Sequence, residues 1–284
     1  LDQGKLHALT GHNAQWISEV DLGSYVPLEF ASADGLRISA LLLTPAGPPP
    51  PAGWPTLVRL HGGPNEQHQY DFFFDWQLFR AAGYAVLAPD PRGSTGRGYA
   101  FQKLLFGKWG QADVPDVLAA VDYAVAHHIA DPNRLGIGGW SYGSLLTNYV
   151  IVSDHRFRAA TSGAGEGNML GEYGTDEYVR EWELEIGLPW QNTSLWIERS
   201  SPFLHADRIM TPTLFLGCEL DSNVPVTGAE QMYEALRRLH VPTQLIIYPG
   251  EYHGLDRPSF LIDRITRYIG WYDRFLKQAG AGHD

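Results

Sequence analysis

The chain has 284 residues, 44% hydrophobic and 19% charged, which suits a globular protein of one large domain or two small ones with a sizeable core. A formal charge of −11, with Lys and Arg scattered, argues against a nucleic-acid partner, because phosphate binding needs clustered cations. The lone cysteine, Cys218, excludes an intrachain disulfide framework and favours the cytoplasm over an oxidising compartment, and no apolar run reaches the roughly 18 residues of a membrane span.

The opening stretch carries no strong periodicity and begins at Leu1 without a methionine, so residues 1–24 read as an extension and the chain as a fragment or processed product. "VPLEFASADGLRISALLLTP" alternates on both sides of Asp34-Gly35, the pattern of a β-hairpin. A proline-rich loop, "AGPPPPAGWP", follows, and the rhythm then changes. Strand "TLVRLHGG", helix "FFDWQLFRAAG", strand "YAVLAPDPRG" and a helix over 111–129 with Pro115 in its first turn come next. Strand "RLGIGGW", helix "YGSLLTNYVIVSD" and strand "AATSGAG" lead into a polar and aromatic insert reaching about residue 207. The chain closes with strand "TPTLFLGCEL", helix "TGAEQMYEALRRLH", strand "TQLIIYPG" and an amphipathic helix. Strands alternating with helices predict an α/β domain over residues 25–284. Its sheet should be mainly parallel, with helices on both faces and an antiparallel hairpin at the N-terminal edge.

Gly139-Trp140-Ser141-Tyr142-Gly143 matches G-x-S-x-G, a strand-to-helix turn that lifts a serine hydroxyl off the sheet and aims the next backbone N–H at the same point. A plain glycine turn with a capping serine is the alternative. A serine needs a base, and the base an orienting acid, in the chain order Ser, Asp or Glu, His. Of the eleven histidines, His253 directly follows a strand; His240, His127 and His128 sit at helix ends, and His61 is out of order. Asp221 follows "TPTLFLGCEL", whereas Glu219 still lies in that strand and Asp256 is too near His253 to reach round its ring. "LHGGP" ends the first crossover strand, so the Gly63 and Tyr142 amides are the expected oxyanion donors. No H-E-x-x-H, P-loop lysine or G-x-G-x-x-G competes, so neither metal nor cofactor is expected.

"LHGGP", "PRGSTGRGY", "GGWSYGS", "GCELDSNVP" and "YPGEYHGL", in this order, resemble the catalytic domain of the prolyl oligopeptidase family of serine peptidases. The likeness is strongest to the dipeptidyl peptidase IV and acylaminoacyl peptidase branches. It implies an α/β-hydrolase fold, with Ser141 as nucleophile, Asp221 as acid and His253 as base. It further implies an acyl-side pocket drawn from Tyr173, Tyr178, Trp182, Tyr142 and Val224, with Arg180 on a substrate carbonyl and Asn223 as a pocket asparagine. The opening segment resembles the strand that leaves a β-propeller in that family, so a propeller upstream in the natural chain is implied, while the double-glutamate motif that grips a free amino terminus lies in that missing region. Ser144 replaces the usual second glycine, a change expected to alter helix packing rather than chemistry.

The leading expectation is therefore a serine peptidase acting on short peptides or N-acylated substrates through an acyl-enzyme. A carboxylesterase using the same triad and a non-catalytic binding module are the alternatives, and homo-oligomer formation is left open.

Overall fold

The computed structural model describes residue 7 and residues 9–277. The hairpin is formed by β1 (Val26–Ala31) and β2 (Arg37–Leu43), paired antiparallel. Six further strands follow: β3 (Trp54–Leu60), β4 (Ala85–Asp90), β5 (Ala130–Trp140), β6 (Ala159–Gly163), β7 (Thr213–Cys218) and β8 (Thr243–Tyr248). They join one sheet in the order β1-β2-β4-β3-β5-β6-β7-β8, antiparallel at β1-β2 and β2-β4 and parallel from β4 to β8. This is the expected α/β-hydrolase arrangement.

The parallel strands read as continuous apolar runs because both faces of the sheet are covered. Side chains alternate between the two faces, so Val58, Leu87 and Phe215 join one core cluster while Leu57, Val86, Leu214 and Leu216 join the other. Helices Val114–Ala126 and Tyr142–Ser153 cover the first face; Phe74–Ala81 and Pro258–Tyr272 cover the second. The first of these starts where Asp113 accepts the Val114 N–H and Pro115 needs no donor partner.

Two features were not visible as periodicity. A short helix, Ala14–Glu19, falls within the expected extension, of which residues 1–6 and 8 lie outside the described residues. The aromatic insert is folded into four short helices, Met169–Glu172, Val179–Ile186, Thr193–Arg199 and Ser201–Leu204, which sit beside the C-terminal end of β6.

Candidate active site

The geometry begins with β5. Its last residue, Trp140, leads into Ser141 at φ 58°, ψ −130°, a left-handed conformation that a non-glycine residue holds only when its surroundings impose it. The surroundings here are two close backbone approaches. A side chain on Gly139 would lie 2.4 Å from the Gly143 carbonyl carbon, and one on Gly143 would lie 2.3 Å from the Leu60 carbonyl oxygen. Both glycines are therefore fixed by space. The Ser141 N–H donates to the Gly163 carbonyl (3.0 Å), and the Ser141 carbonyl accepts from Ser144 and Leu145, opening the next helix. Ser144 is fully buried and shares a hydrogen bond with Ser162 (2.5 Å), so its hydroxyl ties that helix to β6 and faces away from the turn.

The acid and the base come from the loops after β7 and β8. Asp221 Oδ1 accepts the N–H groups of Asn223 (3.0 Å) and Val224 (2.9 Å), which fixes the carboxylate plane. Its Oδ2 then lies 2.8 Å from His253 Nδ1, with the Asp221 side chain fully buried and His253 partly open. A carboxylate only accepts, so Nδ1 carries the proton and Nε2 is left as a lone-pair acceptor. Loop-to-loop bonds hold this pair: the Leu220 N–H donates to the Glu251 carbonyl, and Glu219 Oε2 accepts from Gly250. The Trp140 indole N–H donates to the His253 carbonyl (2.8 Å), which clamps the histidine loop to the serine turn. Ser141 Oγ makes no hydrogen bond among the described residues, as is common before substrate tightens such a site.

Ser141, Tyr142 and Gly63 line one cavity of about 150 Å³, together with Tyr178, Trp182 and Val224. Trp109, Leu145 and Glu166 line it too, and none of these was singled out from the sequence. Trp109 stands edge-on to Tyr142 (5.2 Å) and to Trp182 (4.9 Å), so three aromatic rings form one wall. Asn223 lies beside the cavity, facing the Tyr178 hydroxyl, and does not line it.

Tyr173, expected in the pocket, and Arg180, expected on a substrate carbonyl, do not line this cavity. Tyr173 donates its hydroxyl to Glu183 (2.8 Å) and packs edge-on against Trp190 and Trp196, turned from the cavity. Arg180 is exposed, because two positions along a helix lead to opposite sides and Trp182 takes the buried one.

The ends of β3 and β4 also bring His61, His68 and Asp90 together, with one possible ligand atom from each within 4.8 Å of the others. Sequence spacing could not reveal the group, since the loop after β3 and the end of β4 supply it. His68 Nδ1 lies 3.1 Å from Asp90 Oδ1, and His61 meets Ser94 Oγ (2.8 Å) and the Gly62 carbonyl (2.7 Å). These bonds make the group a buried strut beneath the 61–68 loop that carries Gly63. Burial, with His68 alongside, pushes the His61 imidazole down to about 4.

Known proteins resemble this chain over most of its length. A match to the prolyl oligopeptidase family extends over residues 70–279. A Bacillus subtilis protein named as the uncharacterized peptidase YuxL is 33% identical over 94% of this chain and 42% of its own length. The acylamino-acid-releasing enzyme of Arabidopsis thaliana is 30% identical over 78% of this chain and 30% of its own. Among solved structures, the acylaminoacyl peptidase of Pyrococcus horikoshii superposes with a TM-score of 0.91 at 25% identity, covering 99% of this chain and 46% of that one. The chain thus spans less than half the length of each of these relatives.

Proposed function

The chain belongs to the prolyl oligopeptidase family, and from that premise we propose that it is a serine peptidase that cleaves short peptides or N-acylated amino acids through an acyl-enzyme. The observation that carries the reading is the His253–Asp221 contact of 2.8 Å, clamped through Trp140 to the strained Ser141 turn.

In this reading Ser141 Oγ attacks the scissile carbonyl and passes its proton to His253 Nε2. The carbonyl oxygen becomes an oxyanion and takes hydrogen bonds from the Gly63 and Tyr142 amides. As the C–N bond breaks, His253 returns the proton to the leaving amine, and the acyl group remains on Ser141. Water, deprotonated by His253, attacks the ester and releases acid and free serine. Asp221 keeps the histidine in the tautomer that can accept. Tyr178, Trp182 and Val224 hold the acyl side chain, with Asn223 supporting Tyr178. Residues 25–284 form the catalytic unit, residues 1–24 lead into it, and an upstream β-propeller and self-association complete the proposal. The relatives' greater length supports the propeller; reading the natural chain upstream of Leu1 tests it, and light scattering tests the oligomer.

The activity is tested on N-acetyl-aminoacyl p-nitroanilides beside p-nitrophenyl acetate. Turnover of the anilides is expected, with Asp221→Asn lowering kcat by about 10⁴-fold. Ester turnover without anilide turnover would replace the peptidase by a carboxylesterase. Absence of both would leave a binding module.

A further inference from the structure

The cavity beside Ser141 is lined by three glutamates, Glu166, Glu181 and Glu185, and by no basic residue. Two of the three have evident surroundings. Glu185 Oε2 accepts from the Gly107 N–H (2.8 Å) and the Trp109 indole (3.1 Å), and Glu181 is exposed at the solvent side. Glu166 differs. It is only 6% exposed, yet no donor among the described residues reaches its carboxylate; its backbone carbonyl alone is used, by Asn148 Nδ2. The sealed side-chain atoms that lack a partner are Asn148 Oδ1, Arg264 Nε and Tyr268 OH. The Glu166 carboxylate is not among them, so it keeps some accessible surface, and Glu166 is one of the residues that line the cavity.

An unpaired carboxylate in such a place is strongly disfavoured, and burial beside Glu172 and Asp176 pushes the Glu166 carboxyl up to about 8. Four aromatic rings, Trp109, Tyr142, Tyr178 and Trp182, line the same cavity, and aromatic faces attract cations. Both features oppose an anion and welcome a positive charge. An apolar cavity of about 150 Å³ admits a guest the size of benzene, and a lysine side chain has fewer heavy atoms than that.

Resting on the serine-hydrolase reading of this site, we infer that the cavity selects substrates whose carbonyl-donating residue carries a lysine-length ammonium side chain. Glu166, which holds its proton until substrate binds, releases it to solvent as the ammonium enters and so becomes the counter-ion, while the tryptophans pack along the stem. Glu166 is thus a specificity-determining residue.

The test uses the full chain and two matched substrates, the 7-amido-4-methylcoumarin derivatives of Nα-acetyl-lysine and Nα-acetyl-norleucine, which differ chiefly by the ammonium. The lysine substrate is expected to show a kcat/KM about 100-fold higher, and Glu166→Gln to shrink that ratio at least about tenfold, mainly through KM. Equal or better turnover of norleucine by the unaltered protein overturns the inference, as does a ratio indifferent to Glu166→Gln. A parallel titration of Ser141→Ala protein with Nα-acetyl-lysine amide and Nα-acetyl-norleucine amide, followed by tryptophan fluorescence, reads selection without chemistry. Tighter lysine binding with no turnover of either substrate would retire the hydrolase reading and keep the cation site. Turnover with no lysine preference would do the reverse.

Discussion

Tyr142 shows how one residue joins the proposed chemistry to the core. Its amide follows the serine, while its hydroxyl donates to Asp113 Oδ2 at 2.6 Å inside the protein. Asp113 is fully buried, and that burial raises its carboxyl to about 6 in spite of the Tyr142 bond. Asp113→Ala leaves the phenol without its acceptor and is expected to lower stability by about 1–3 kcal/mol in urea unfolding; an unchanged midpoint contradicts this. The buried glutamates give a pH prediction. Glu166 is raised to about 8 and Glu172 to about 7, both mainly by burial, against an ordinary value of 4.5. Between 4.5 and 8 the folded chain therefore holds protons that the unfolded chain has released, and stability falls as pH rises. His61 works in the opposite sense. Held down to about 4, it stays neutral while the unfolded imidazole protonates below 6.5, so its contribution is complete above 6.5 and is lost as pH falls. From pH 6.5 to 8 the glutamates act without that opposition. Tm should fall across this window, and Glu166→Gln should make the fall shallower; a Tm indifferent to Glu166→Gln contradicts the assignment. The Ser141 turn and the Asp221–His253 contact were legible because motif and chain order single out those residues. Glu166 and Asp113 were not, since an acid announces nothing about its burial.

At the scale of elements, the loop after β4 is the joint between the hairpin and the sheet. Arg92 bonds both oxygens of buried Asp116, at 2.7 and 2.8 Å, and both oxygens of Asp34 in the β1-β2 turn, at 2.8 and 3.1 Å. The Arg92 backbone N–H and the Ser32 hydroxyl donate two further hydrogen bonds to Asp116. Removing one member strands a charge inside the protein, so Asp116→Ala is expected to lose about 3–5 kcal/mol, read from denaturant unfolding. A loss under about 1 kcal/mol would mean the joint is relaxed by water. The strands and long helices were readable because apolar alternation and glycine punctuation persist over many residues. The four short helices of the insert were not, as each is at most eight residues long and is held by tertiary bonds such as Trp196 Nε1 to the Gly187 carbonyl. That is also why Tyr173, within the insert, was expected in a pocket it does not line.

For the whole molecule, one sheet delivers every part of the proposed site to one edge. Ser141 follows β5, Asp221 follows β7, His253 follows β8, and Gly63 follows β3. Residues far apart in sequence meet there because parallel strands all end on the same side, the side where open α/β sheets receive ligands. That convergence was implicit in the strand–helix alternation, and the chain order of the three residues then selected the strands. What the alternation could not reveal was the cavity's lining, which depends on how the insert packs over Tyr142. The central claim, a nucleophilic serine at the β5 turn, is tested most directly by incubating the protein with a fluorophosphonate probe and locating the adduct by peptide mass spectrometry. The account predicts a single adduct on Ser141, absent in Ser141→Ala and much slower to form in His253→Ala. An unlabelled protein, or an adduct on another residue that persists in Ser141→Ala, would contradict it.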